Sequence, residues 1–117
     1  MSKQPLQEPT FLILTSLAAG AQHGYGIMTD VARISEGRVR LRAGTLYAAL
    51  DRLAREGVVD VDHEEIAGGR LRRYYRLTPA GTQVLARDVA RTQANAAVAS
   101  RRLKGFAAGT AFAGGTA

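Results

Sequence analysis

A chain of 117 residues is long enough for one domain around one modest core, and too short for a catalytic domain beside a regulatory one. Its formal net charge of +6 points to a polyanionic partner, and the charge is concentrated, since nine of the fourteen Arg lie between Arg38 and Arg76. The absence of cysteine excludes a disulfide framework and a thiolate metal site, and suits a reducing cytoplasm.

Residues 1–9 read as a flexible N-terminus. MSKQPLQEPT has no apolar core of a signal peptide, and no later apolar run approaches the roughly 20 residues that span a bilayer, so no membrane partner is expected. Behind Pro9 and Thr10, the residues Phe11, Leu12, Ile13, Leu14 and Leu17 predict a short apolar helix ending near Gly20. Gly24-Tyr25-Gly26 opens a second helix. Ile27, Val31 and Ile34 fall at i, i+4 and i+7, and Gly37 stops it. Residues 38–42 alternate charged and apolar side chains, as a short half-buried strand does. Helical spacing returns over 43–56, with Leu46, Leu50 and Leu53 in one stripe and Gly57 at the end.

Two strand-like runs, 58–66 and 70–78, flank Ala67-Gly68-Gly69 and predict a hairpin. The apolar pattern sets Val59 opposite Leu77 and Val61 opposite Tyr75. In the same register Asp60 faces Arg76, Asp62 faces Tyr74 and Glu64 faces Arg72. Thr78-Pro79 is a helix start with Thr78 as N-cap. From there Leu85, Val89, Thr92, Ala96, Ala99 and Leu103 keep the 4-3-4-3-4 spacing of a coiled-coil seam, which is Ala-rich and weak. The remaining GFAAGTAFAGGTA reads as a Gly/Ala-rich tail.

The expected fold class is therefore mostly α with a small β-wing. A winged helix-turn-helix occupies residues 10–78, a C-terminal dimerisation helix 79–104 and a disordered tail 105–117. In that arrangement the third helix enters the major groove of duplex DNA and the hairpin follows the backbone. An angular count puts Gly44, Ala48, Asp51, Arg52 and Arg55 opposite the buried stripe of the third helix, with Thr45 and Tyr47 on its flanks. Small residues at 44 and 48 allow close approach to base edges, and Arg52 and Arg55 can reach guanine or phosphate. Two such helices in a homodimer would read an inverted repeat in successive major grooves about 34 Å apart. The seam is too thin to hold that dimer alone, so Phe11, Leu12 and Leu14 of the first helix are expected to supply much of the interface, with any effector bound between first and last helices.

These residues resemble the PadR-like regulators. Gly24-Tyr25-Gly26-Ile27, preceded by His23, is similar to that family's HGYEI-type segment. Residues 44–50, GTLYAAL, are similar to its GTLYPAL segment, with Ala48 in place of Pro. LAREGVV at 53–59 resembles the helix end that leads into the wing, and RYYRLTPAG at 73–81 resembles RKYYxLTxxG. The likeness runs over residues 10–90. It implies a dimeric repressor, often released from its operator by a small hydrophobic ligand. The matching family position puts Tyr25 at a phosphate, and packing between helices with its hydroxyl at the surface is the equal alternative. The single C-terminal helix resembles the short branch of the family.

Tyr47 is assigned to phosphate and Tyr75 to the wing core. Arg72 and Arg76 face acids across the hairpin, so Arg70 and Arg73 are the wing's DNA candidates. Arg38, Arg40 and Arg42 share one strand face, which is either a solvated edge or a DNA contact, and Arg42, just before the third helix, is the strongest candidate of the three. His63-Glu64-Glu65 lacks the second His of a zinc-protease motif and lies on a strand, so no metal is expected there. His23 is read as structural. No nucleophilic triad, phosphate loop or cofactor motif is present, so the chain is not an enzyme and takes no cofactor. A winged-helix protein-interaction module without sequence-specific DNA binding is the alternative, and the Arg concentration argues against it.

Overall fold

The computed structural model describes residues 4–113. Four helices and three short strands follow in the order α1 (Glu8–Ala18), β1 (Gln22–His23), α2 (Gly24–Ile34), α3 (Ala43–Arg55), β2 (Val59–Ala67), β3 (Arg70–Leu77) and α4 (Pro79–Ala113). Among the described residues, no helix is long and apolar enough to cross a membrane.

Those up to Ala86 form one compact unit. Its core joins Leu12, Ile13, Leu14 and Leu17 of α1 to Ile27 and Val31 of α2 and to Leu46, Leu50 and Leu53 of α3. Val58, just before β2, closes it together with Val59 and Tyr75 of the sheet, and Val84 and Leu85 of α4 pack on its rim. Leu12 and Leu14 are thus core residues, 5% and 0% exposed, and Phe11 packs against them. A second chain cannot use Leu12 or Leu14 without opening this core, which removes them from the expected dimer surface. The first helix also begins at Glu8, inside the segment read as flexible.

The sheet is antiparallel, in the order β1-β3-β2. Its third strand is Gln22–His23, which pairs with Tyr75 and Tyr74. Residues 38–42, expected as a strand, are not one. The chain turns there through Glu36 and Gly37, both at positive φ. The buried Ser35 Oγ accepts from the Val39 N–H at 3.0 Å, and Arg38 reaches back to Glu8 at 2.9 Å. Tertiary fixation of the turn has overridden the local alternation.

The hairpin contains one irregularity with a physical cause. Gly68 and Gly69 both have positive φ, which a two-residue type I′ turn needs, and that turn fixes Ala67 opposite Arg70. At the base, the apolar pairs Val59–Leu77 and Val61–Tyr75 form as expected. These two registers differ by one residue, and a bulge at Asp62 absorbs the difference. Beyond it Glu64 faces Arg73 and Glu65 faces Arg72.

Residues from Arg87 form a second compact unit, made of the continuing α4. The tail expected to be disordered from residue 105 is helical as far as Ala113, and 114–117 lie outside the described residues. Three of its residues between Gly109 and Ala113 are not glycine, and Ala107 and Ala108 are strong helix formers that offset the isolated glycines.

Candidate nucleic-acid interface

Three elements of the first unit present the expected contact residues. The first is α3. Leu46, Leu50 and Leu53 face inward and are at most 2% exposed, which leaves Gly44, Thr45, Ala48, Asp51 and Arg55 on the surface. No protein atom lies within 4 Å of where a Cβ on Gly44 would sit, so that part of the helix is open to close approach. Arg42 precedes α3 as its backbone N-cap and is exposed. Neither Arg42 nor Arg55 has an ion-pair partner among the described residues.

Arg52 behaves differently. The angular count placed it on the outward face, but its guanidinium turns to the flank, where it donates to Thr10 Oγ1 at 3.2 Å and lies 3.8 Å from Glu56. Thr10 belongs to α1, so Arg52 ties α3 to α1 rather than standing clear of both. It also lines a cleft of about 410 Å³ with Leu6, Thr10, Leu53, Val58 and Val84.

The start of α2 is the second element. Its two glycines are explained by close approach. A Cβ on Gly24 would meet the Tyr47 hydroxyl at 2.3 Å, and one on Gly26 would meet the Gln22 carboxamide at 2.3 Å. Tyr25 between them projects outward, 68% exposed, while Tyr47 is 45% exposed with its hydroxyl over Gly24. The two tyrosines expected at phosphate therefore belong to one corner, where α3 crosses the first turn of α2. His23 caps that turn, accepting from the Gly26 N–H through Nδ1 at 3.2 Å, so its structural reading holds.

The third element is the wing, and here the bulge reassigns partners. Arg73, expected to be unpaired, donates to Glu64 at 2.8 Å. Arg76 pairs with Asp60 at 2.8 Å, as expected, and with Asp62 at 3.4 Å. Arg72 has no ion pair among the described residues, and Glu65 opposite it instead accepts from the Tyr74 hydroxyl at 2.7 Å. Asp62 turns to His63 Nδ1 at 2.6 Å rather than to Tyr74. These contacts hold the Asp62 carboxyl below its usual pKa, through the hydrogen bond from His63 first and then through Arg76. Hydrogen bonding to Glu64 and Asp60 raises the pKa of Arg73 and Arg76 in turn. Arg70, at the tip, is exposed and unpaired among the described residues. The unpaired wing cations are thus Arg70 and Arg72. The sequence could not show this, because the one-residue bulge follows from a competition between the turn and the apolar base.

Of the expected dimer residues, Leu85 packs on the core of the first unit. Val89, Thr92, Ala96, Ala99 and Leu103 are all exposed. Phe106, three residues beyond Leu103, continues the same spacing and is exposed as well. The Gly/Ala-rich composition around it hides this continuation in the sequence. No group of three or more His, Cys, Asp or Glu that could hold a metal occurs among the described residues.

The family model described as the transcriptional regulator PadR-like family matches residues 13–87. Transcriptional regulator Rv3488 of Mycobacterium tuberculosis is 37% identical over 76 residues, 65% of this chain and 67% of that protein. A PadR family transcription regulator of Clostridium difficile superposes with a TM-score of 0.68 at 24% identity, over 83% of this chain and 99% of that one. Bacillus subtilis PadR in complex with operator DNA gives a TM-score of 0.61 at 25% identity, over 68% of this chain and 46% of that one.

Proposed function

Since the chain belongs to the PadR-like family of transcriptional regulators, and is a DNA-binding regulator rather than an enzyme, we propose that it is a cytoplasmic, dimeric, sequence-specific repressor. The observation that carries the reading is the surface of α3. Small residues at Gly44 and Ala48 lie open beside the unpaired Arg42 and Arg55, with Tyr25 and Tyr47 at one corner. Gly44, Thr45 and Ala48 would approach base edges, and Arg42, Arg55 and the tyrosines would hold phosphates. Arg70 and Arg72 would extend the backbone contact along the wing. Arg52 would act by fixing the angle of α3 against α1, and Arg73 is withdrawn into its pair with Glu64.

The dimer would form along α4, through Val89, Thr92, Ala96, Ala99, Leu103 and Phe106, and would place two α3 helices on an inverted repeat. Repression follows from occupancy of a promoter-proximal site. A small hydrophobic effector would release it by binding the DNA-incompetent state better than the competent one. The cleft beside Arg52 suits this role, because a ligand there touches the contact that sets α3.

Selection of bound fragments from the source genome, followed by a salt titration on the selected site, tests the reading. An inverted repeat and a linear fall of log affinity with log salt are expected. Equal affinity for selected and random DNA would overturn sequence-specific binding.

A further inference from the structure

The chain has two histidines, and they flank Tyr74 in one row across the sheet. His63 stacks on the Tyr74 ring with centroids 4.3 Å apart, while His23 meets its edge at 5.2 Å. Their surroundings differ. His63 lies between carboxylates, 2.6 Å from Asp62 and 4.0 Å from Glu65. His23 is the N-cap of α2, and its Nδ1 accepts the Gly26 N–H.

Most N-caps are Ser, Thr, Asp or Asn, whose oxygens accept at every pH near neutral. An imidazole nitrogen accepts only while unprotonated. When Nδ1 takes a proton from solvent, the acceptor becomes a donor, and the Gly26 N–H must turn to water. The new positive charge also sits at the positive end of the α2 dipole. The first turn of α2 is the one that presents Tyr25 and receives the Tyr47 hydroxyl over Gly24.

We propose that His23 is a proton-sensitive positioning residue, which holds the Tyr25–Tyr47 corner against DNA when neutral and releases it when protonated. This rests on the reading that the corner contacts DNA.

The groups facing His23 are Arg72 and Tyr74 from β3, Glu65 from β2 and Gln22 beside it. Burial lowers the pKa of His23, Arg72 lowers it further, and Glu65 acts the other way. The folded state therefore favours the neutral ring. The contribution of the cap is complete above the ordinary histidine value of 6.5 and diminishes as pH falls below it.

The test uses the full chain and a labelled random-sequence duplex, at constant ionic strength, from about pH 8 to about pH 5. H63Q serves as the background, so that only His23 titrates among the histidines. Acidification should weaken binding by H63Q several-fold, up to about tenfold, as loss of a cap does. H63Q/H23N keeps an oxygen acceptor and should bind evenly across the range. H63Q/H23A should be weak throughout. By NMR, the Gly26 amide and the His23 ring should titrate together in H63Q. An H23N variant with the same acid loss, or a Gly26 amide that ignores the His23 ring, overturns the proposal. If H63Q binds no duplex at any pH, the DNA contact of the corner is what fails. The Gly26 and His23 titrations then still decide the role of His23.

Discussion

In α1, Leu12, Ile13, Leu14 and Leu17 are at most 5% exposed, whereas in α4 Val89, Leu103 and Phe106 are 36%, 66% and 69% exposed. Both helices show apolar residues at helical spacing, and the sequence assigned both to one dimer interface. They differ in density. α1 packs four large apolar side chains into six positions, and a helix so apolar needs cover on more than one side. In the seam of α4, Ala and Thr separate the large residues, and of the large apolar side chains outside it Val98 is exposed too, while Gln, Asn and Arg residues take much of the remaining surface. Such a stripe is too thin to organise a core, and it suits pairing with a second helix. Spacing tells which side of a helix is apolar. The amount of apolar surface tells whether the chain itself can cover it.

The largest effect should come from exchanging the two stripes as targets. Leu14→Ala removes a fully buried side chain and should destabilise the fold by about 2–5 kcal/mol. Leu103→Ala should leave the unfolding midpoint of the monomer nearly unchanged. Urea denaturation at low protein concentration separates the two, and equal losses would erase the distinction between α1 and α4.

A sharper cut is possible at the end of the first compact unit. A chain ending at Ala86 keeps Val84 and Leu85, which pack on the core, and discards the exposed seam. It should fold, sediment as a monomer and lose tight operator binding. A stable dimer from this fragment would return the interface to the first unit. Within the full chain, Leu103→Ala and Phe106→Ala should each weaken self-association. Burying a large apolar side chain stabilises by about 1.5–3 kcal/mol, so each dissociation constant should rise by at least about tenfold. An unchanged constant for Phe106→Ala would end the seam at Leu103.

Much of the fold was legible because the signals were local and mutually consistent. Thr78 does cap α4, accepting from the Gly81 N–H at 3.0 Å, and Pro79 opens the helix. The stripe Leu46, Leu50, Leu53 is buried, and Val59–Leu77 and Val61–Tyr75 pair as the pattern requires. What escaped was decided by distant partners. Arg52 looked outward by angle, yet Thr10, far away in sequence, draws it to the flank. The third strand is two residues long, too short to show a period, while residues 38–42 show one and form none. In the tail, Gly105 and Gly109 mask the alanines between and around them, and the helix continues to Ala113.

The contrast between covered and uncovered groups extends to charge, and there the expected effect is smallest. Arg72 and Arg73 are neighbours on β3 with opposite situations. Arg73 is held by Glu64 at 2.8 Å, while Arg72 has no ion pair among the described residues and Glu65 serves Tyr74. If Arg72 contacts a phosphate, Arg72→Ala should lower the slope of log affinity against log salt by up to about 0.9. Arg73→Ala should lower it less, since a cation already neutralised by Glu64 releases fewer counterions on binding. The exposed pair itself is worth only about 0.2–1 kcal/mol, so the approach of DNA could open it. Glu64→Gln distinguishes the cases. With Glu64 removed, Arg73→Ala should acquire the slope change that Arg72→Ala shows alone. Equal slope changes for Arg72→Ala and Arg73→Ala with Glu64 intact would mean that the pair opens on DNA and that the wing presents both cations.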